Sequence, residues 1–365
     1  MKIAHLINSL ATGGAEKLVA ETVPLYQQAG ITTDVIVANG TIHPFTEQLQ
    51  ASSNTTIIAL GWGSVYNPLL IFKLMRLLNN YDILHVHLFP VQYFAVVAKW
   101  LSRSKVKLVF TEHCTSNRRI SKWYFKYIEH LMYNAYTKVI CITPEIQAIY
   151  SNYLPQLKQK WQVIENGVNI STIQIARPLD KNHIISSINT FDKIILQISA
   201  FREQKDQSTL IKAMTLLPKE IKLILVGEGV EKEKCQQLVQ QLNLSERVFF
   251  LGVRMDVPQL LKTADVVVLS SKYEGLSLSS IEGMASGKPF IASDVPGLTD
   301  VVAGAGLLFE CGDEKALAIH INNLLNDPIL YQKTAASCQA RAQEFTIEKM
   351  VTAHIEMYQN VLNEN

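Results

Sequence analysis

The sequence predicts an α/β protein of two doubly wound lobes, and three observations carry that reading. Short, mostly apolar strand candidates alternate with segments of helical spacing along nearly the whole chain. That is the pattern of parallel sheets covered by helices. The alternation lapses once, between Ile170 and Asp192, where no period holds and Pro178 sits among polar residues. A chain of 365 residues with 48% hydrophobic content divides there into two pieces, each large enough for its own core. The expected domains are residues 1–180 and 181–345, with 346–365 as a C-terminal helix.

Lys2–Ile7 is the first strand. Ser9–Gly14 is a loop, and Ala15–Ala29 is a helix with Leu18, Val19, Val23 and Tyr26 on one face. Gly30 stops it. Thr33–Ala38 completes a β-α-β unit with Gly13-Gly14 at the helix entrance. The fuller G-x-G-x-x-G spacing is missing, so a dinucleotide site is not supported. The glycine pair serves either a tight turn or close approach to a phosphate or sugar. Thr56–Ala59 is a short strand candidate, and Asn67–Leu78 a helix with Pro68 at its first position. Asp82–His87 (DILHVH) and Lys107–His113 (KLVFTEH) are strands ending in histidine. Open parallel sheets bind ligands beyond the carboxyl ends of their strands. His87 and His113 are therefore candidate catalytic groups, with hydrogen-bonded structural histidines as the alternative. Lys138–Ile142 and Gln162–Asn169 are the lobe's last strands, and a helix opens at Thr143-Pro144 between them.

The second series opens with strand Lys193–Ser199, the loop Ala200–Asp206 (AFREQKD) and helix Gln207–Leu217. Strand Lys222–Val226, the turn Gly227-Glu228-Gly229, helix Glu231–Leu242, strand Arg247–Leu251 and helix Val257–Thr263 follow. They lead to the stretch that carries most chemistry. There Asp265–Leu269 is a strand, Tyr273–Ser277 a polar loop, a short helix carries Glu282, and Lys288–Asp294 is the next strand. A helix opening at the end of a buried strand directs free N–H groups at an anion. Glu274 in the loop and Glu282 inside the helix flank that position. Such a site suits a ligand with both phosphate and hydroxyls, for example a nucleotide-sugar. Ser279-x-x-Glu282 also fits a capping box, in which Glu282 only satisfies backbone donors. Arg202 and Lys205, in the loop after Lys193–Ser199, face the same edge and complete a diphosphate site. Gly306–Glu310 is a short strand, and helices Glu314–Leu325, Pro328–Phe345 and Ile347–Leu362 end the chain.

Composition narrows the partners. A net charge of +2 with 18% charged residues makes no global basic field, which argues against nucleic acid. Five scattered cysteines without a C-x-x-C pair point to free thiols in a reducing compartment. The N-terminal MKIAHLINSL reads as a strand, and no apolar run approaches the ~20 residues of a bilayer span. A cytoplasmic protein is expected. Lys99–Lys138 is locally basic, with Trp100, Trp123, Tyr124, Phe125 and Tyr127 interleaved. It fits an anionic membrane surface, giving a peripheral protein. It also fits a solvated helix face with its aromatics packed inward.

These segments resemble retaining glycosyltransferases of family 4, which have the two-lobed GT-B architecture. The likeness is carried by GGAE at Gly13–Glu16, HVH at His85–His87, ENGVN at Glu165–Asn169, FREQKD at Phe201–Asp206, LVGEG at Leu225–Gly229 and FLGVRMDVPQLL at Phe250–Leu261. Glu274 and Glu282 match the E-x7-E motif. The likeness covers nearly the whole chain and is strongest in the second lobe. It implies transfer of a hexose or N-acetylhexosamine from a nucleotide-diphosphate sugar, a UDP-sugar first, to a glycan or lipid-linked acceptor. Retention of configuration and a role in polysaccharide or glycoconjugate synthesis are implied with it. By the same resemblance Glu282 accepts from the ribose and Glu274 from the donor sugar. The N–H groups of Gly275, Leu276 and Ser277 hold the distal phosphate, and Lys205 neutralises the leaving diphosphate. Val253 and Arg254 lie at the base, Gly14 approaches the phosphate or sugar, and His87 stands beside the transferred sugar. The C-terminal helix returns to the first lobe. One departure stands out: Ala200 occupies the position, five before the lysine, where many family members carry an arginine, so Arg202 is the candidate substitute.

No D-x-D pair of aspartates occurs, so neither a metal clip nor any cofactor beyond the donor is expected. Arg202, Lys205 and the helix start would then carry the leaving-group charge, each charged donor being worth about 3 kcal/mol. A nucleotide-sugar epimerase of the same architecture and a non-catalytic nucleotide-sugar-binding subunit are the competing readings.

Overall fold

The computed structural model describes residues 1–113, 120 and 124–364. The chain divides into two compact units, Met1–Asn166 with Ile347–Asn365, and Gly167–Thr346. Each is a parallel sheet flanked by helices.

The first unit holds seven strands: β1 (Lys2–Ile7), β2 (Thr32–Val37), β3 (Ile57–Ala59), β4 (Ile83–His87), β5 (Lys107–Glu112), β6 (Lys138–Cys141) and β7 (Trp161–Val163). Their order is β3-β2-β1-β4-β5-β6-β7, all parallel. The order reverses between β1 and β4, the switch point at whose carboxyl end such sheets take ligands. Register sets His5 against His85 and His87 against Thr111. Residues two apart on a strand share a face, so all four side chains point to one side. The helices Gly14–Gln28 and Ile347–Asn363, both in this unit, pack together. The second bears buried Met350, Val351, Tyr358 and Val361.

The second unit holds β8 (Lys193–Ile198), β9 (Ile221–Val226), β10 (Val248–Phe250), β11 (Val266–Leu269), β12 (Phe290–Ser293) and β13 (Leu307–Phe309). Their order is β10-β9-β8-β11-β12-β13, with the switch point between β8 and β11. Phe201, Leu210, Leu223, Val266, Ile291 and Ile321 belong to its core. Helix Leu278–Ala285 lies close on the sheet because Gly283 has no side chain. A Cβ there would stand 2.6 Å from the Phe290 ring and 3.0 Å from Val267.

Several boundaries differ from the sequence reading. The strand expected over Gln162–Asn169 is only Trp161–Val163. Asn169 instead accepts from the Thr172 N–H at 3.1 Å and caps a helix, Ile170–Ile175, in the stretch that lacked a period. That helix packs on Val257–Thr263 and Leu278–Ala285 and belongs to the compact unit that begins at Gly167. The helix expected over Asn67–Leu78 is confined to Leu70–Met75. Asn67 Oδ1 accepts from Leu69 N at 3.0 Å, and bonds from Leu70 to Asn67 and Ile71 to Pro68 keep the residues around Pro68 in turns. Among the described residues, no helix is long and apolar enough to cross a membrane.

Candidate functional site

In the second unit, the loops after β8 and β11 meet at the switch point. Lys272 N donates to Gln204 O at 2.7 Å, and Gln204 Nε2 donates to Tyr273 O at 2.8 Å. From below, Ser270 Oγ donates to Asp206 O at 2.8 Å, and Gln197 Nε2 donates to Lys205 O at 3.2 Å. The backbone of both loops is thereby fixed. On this frame the Lys205 ammonium meets Glu274 Oε1 at 2.5 Å, and Ser271 Oγ donates to the same oxygen at 2.5 Å. Both side chains are largely withdrawn from water, at 17% and 7% exposure. Gly297 permits the loop's path. Its φ is +79°, and a Cβ would fall 2.3 Å from the carbonyl oxygens of both Glu274 and Gly275, so only glycine fits.

Beyond Glu274, no backbone carbonyl among the described residues accepts from the N–H groups of Gly275, Leu276 or Ser277. Helix Leu278–Ala285 opens there, with Ser277 as its uncapped N-cap. Ser279 is thus already inside the helix, and the capping box expected as an alternative for Glu282 does not form. Glu282 is buried one turn in. An ammonium, two carboxylates and a run of N–H groups therefore gather at one sheet edge, a donor set suited to an anion carrying hydroxyls.

Two expected members stand apart. Arg202 is exposed, and Ala200, where a clamp arginine was sought, offers only its carbonyl, to Gln207 Nε2 at 3.0 Å. Arg254 follows β10, two strands from the switch point, and binds Asp256 through Nε at 2.8 Å and Nη2 at 2.5 Å. Those bonds raise its pKa and lower that of Asp256. They also occupy its fork, while neighbouring Val253 is exposed.

In the first unit the histidines form one buried cluster. His87 Nε2 lies 3.0 Å from His5 Nδ1, and His87 Nδ1 lies 3.4 Å from His113 Nε2. His85 spans the Tyr358 hydroxyl and Thr111 Oγ1, each at 2.6 Å, and Tyr26 meets His354 Nδ1 at 2.6 Å. Burial drives every imidazole toward neutrality. The pKa falls to about 3 at His5 and His354, to about 4 at His113, and well below the ordinary value at His85 and His87. A cavity of about 20 Å³, room for a single water, borders His5, Tyr26, His87, His113 and His354. The nitrogens of His5, His85 and His87 lie within 4.8 Å of one another, a spacing that can hold a metal. His85 already has both ring nitrogens bonded to hydroxyls, however, and His5 and His87 are bonded to each other. Gly13 is the N-cap of helix Gly14–Gln28, at the carboxyl end of β1.

The sequence reading named His87 and His113 and passed over His5, His354, Tyr26 and Tyr358. Alternation along a strand puts His85 and His87 on one face, and the same rule applied to Lys2–Ile7 was the available signal for His5. In the basic stretch, Arg118, Arg119, Lys122 and Trp123 lie outside the described residues. Tyr124 and Tyr127 are 50% and 81% exposed rather than packed inward.

Comparison with known proteins bears on both units. Residues 12–172 match the model of Glycosyltransferase Family 4, and residues 180–345 that of Glycosyl transferases group 1. The lipopolysaccharide core biosynthesis glycosyltransferase LpsD of Rhizobium meliloti is 27% identical over 98% of each chain. The N-acetylgalactosamine-N,N'-diacetylbacillosaminyl-diphospho-undecaprenol 4-alpha-N-acetylgalactosaminyltransferase of Campylobacter jejuni is 25% identical over 94% of this chain and 95% of its own. Among solved structures, Anabaena HepE in complex with UDP and glucose superposes with a TM-score of 0.85 at 22% identity, over 99% of this chain and 100% of that one. One family model over each half, together with glycosyltransferase relatives spanning nearly the full length, supports a single conclusion: the chain is a glycosyltransferase of the GT-B type.

Proposed function

We propose that the protein transfers a hexose or N-acetylhexosamine, with retention, from a UDP-sugar to a glycan or lipid-linked acceptor in polysaccharide or glycoconjugate synthesis. One observation carries the reading: the Lys205–Glu274 pair stands beside the N–H groups of Gly275–Ser277 at a switch point. Breaking a sugar C1–O bond leaves negative charge on the departing diphosphate, and fixed donors aimed at that charge lower the barrier. Lys205 and the three N–H groups are those donors, so no metal is required. Glu274 accepts from the sugar hydroxyls and Glu282 from the ribose, while the base rests on backbone near Val253. The neutral imidazoles of His87 and His113 act as hydrogen-bonding groups in the transfer, not as cations. UDP is the nucleotide bound in the Anabaena structure, and the Campylobacter relative is named for a lipid-linked saccharide. The free thiols of Cys141, Cys235, Cys311 and Cys338 suit a cytoplasmic setting.

A panel of UDP-sugars tests this through thermal stabilisation and donor hydrolysis. UDP stabilises the protein, one sugar is hydrolysed slowly, and EDTA leaves that rate unchanged. Lys205→Ala lowers it by about 100-fold, the ~3 kcal/mol expected of one such donor, and Glu282→Ala weakens UDP binding. Absence of nucleotide binding, or silence of both variants, refutes the reading. Isomerised donor accumulating without acceptor would identify an epimerase instead. Donor binding with no turnover in any acceptor mixture would identify a binding subunit.

A further inference from the structure

The segment after β3 has an unusual surface. Within eleven residues it turns four large apolar side chains to water: Trp62, Tyr66, Leu69 and Phe72, at 72%, 65%, 63% and 57% exposure. Soluble monomers seldom expose such a run without a partner for it. The chain between Glu47 and Asp82 contains no acidic residue, while Lys73 and Arg76 are both exposed. Leu69, Phe72, Lys73 and Arg76 follow the spacing of one helix face around Leu70–Met75. The surface is thus both apolar and cationic.

Its place in the fold gives it a role. The Trp62 ring lies over Gly40, where a Cβ would come within 3.2 Å of it, at the carboxyl ends of β2 and β3. The Tyr66 ring packs 6.2 Å from Phe89. Phe89 is 41% exposed, and its carbonyl accepts from Asn8 Nδ2 at 2.8 Å. It stands two residues past His87, at most about 7 Å along the chain. One end of the surface therefore adjoins the histidine cluster, and the other runs outward along the helix to the cations.

We infer that residues 62–76 with Phe89 are the docking surface for the acceptor, and that the acceptor is a saccharide carried through a diphosphate on a lipid. This rests on the acceptor half of the reading above. Trp62 and Tyr66 offer ring faces to the sugar, and Phe89 backs Tyr66 on the side nearest His87. Leu69, next along the helix, packs against the saccharide's apolar face, Lys73 and Arg76 meet the diphosphate, and Phe72, beside Lys73 on the same turn, covers the first lipid unit. A neutral glycan would use the aromatics and leave the cations idle. A bare bilayer would have no need of a surface joined to His87.

Titration calorimetry with farnesyl diphosphate, farnesol and inorganic diphosphate as probes tests the inference. Farnesyl diphosphate binds at least about tenfold more tightly than either component, a difference of ~1.4 kcal/mol. Lys73→Gln with Arg76→Gln, and separately Phe72→Ser, each remove most of that advantage. Joining N-acetylglucosamine to the probe's diphosphate strengthens binding, and Trp62→Ala erases the gain. All these positions are exposed; an unchanged urea midpoint by tryptophan fluorescence verifies that the first unit of each variant is folded, and unchanged stabilisation by UDP verifies its donor side. Equal affinity for farnesol and farnesyl diphosphate overturns the inference, as does indifference of farnesyl diphosphate binding to the substitutions. Wild-type protein that binds the farnesyl probe but ignores UDP would sink the donor reading and leave this surface standing.

Discussion

Lowering the pH from 7.5 to 5.5 will destabilise the first unit by several kcal/mol, because its histidine cluster is folded in the neutral form. His5, His85, His87 and His354 are 1%, 0%, 5% and 7% exposed, and burial is the largest cause of the lowered pKa at each. In the unfolded chain the same groups protonate near 6.5. The unfolded state therefore binds more protons below that value, so stability is full at higher pH and is lost progressively as pH falls from about 6.5 toward the lower folded-state values. Each group contributes RT ln(1 + 10^(6.5 − pH)), about 1.4 kcal/mol at pH 5.5 and under ~0.1 kcal/mol at pH 7.5. Four groups give a loss of ~5 kcal/mol, a large share of the ~5–15 kcal/mol that holds a typical domain together. His113 lies nearer the surface and is left out of that sum.

The assay is selective by composition. Trp62, Trp100, Trp123 and Trp161 are the protein's only tryptophans and all belong to residues 1–166. Tryptophan fluorescence during urea unfolding thus follows the first unit. Its midpoint should fall steeply between pH 7.5 and 5.5, with a slope approaching four protons at the acid end. His354→Gln should reduce that slope by about one proton, whatever its effect on stability at pH 7.5. A stability constant within 1 kcal/mol across the window, or a variant slope equal to that of the parent, would refute the assignment of neutral buried imidazoles.

Three other outcomes follow from the geometry. Gly297→Ala forces a Cβ against two carbonyl oxygens in the left-handed region; it should cost about 1–3 kcal/mol in thermal unfolding and weaken UDP-sugar binding by displacing Glu274. Arg254→Ala frees Asp256 but leaves the backbone beside Val253 in place, so the donor KM should change less than about threefold, under ~1 kcal/mol; a larger rise would mean that the guanidinium itself reads the base. Sedimentation with anionic vesicles should show binding through the basic aromatic stretch around Tyr124 and Tyr127 that weakens with salt; no binding at low salt removes that surface from consideration.

The second unit was the more legible half. Its chemistry sits in two continuous loops, AFREQKD and YEGLS, each after an apolar strand, so strand order alone brings Lys205 to Glu274. The capping alternative for Glu282 could not be settled from spacing, because it depends on which serine begins the helix, and Ser277 does. The first unit hid more. Its histidine cluster draws on β1, β4, the end of β5 and the last helix, separated by up to 328 positions in the Tyr26–His354 contact. No local pattern marks such a pairing. The lapse of periodicity between Ile170 and Asp192 hid one element, since Asn169 caps a helix too short to show a period.

The Lys205–Glu274 bond explains how two opposed charges can share a nearly dry site. Either charge alone would carry a heavy desolvation penalty there, and removing one partner strands the other. Paired, they tie the loops after β8 and β11 together. Under the proposed function the donor does not fill two free groups; it exchanges partners between them. Its phosphate replaces the carboxylate at Lys205, and its sugar hydroxyls replace the ammonium at Glu274. Only a ligand offering both an anion and hydroxyls completes the exchange. A free phosphate would separate the pair and leave Glu274 unmatched. UDP with its sugar should accordingly stabilise the second unit more than UDP alone, and Glu274→Gln should abolish the difference while retaining UDP binding. Equal stabilisation by both ligands in the parent protein would show that the two charges act independently.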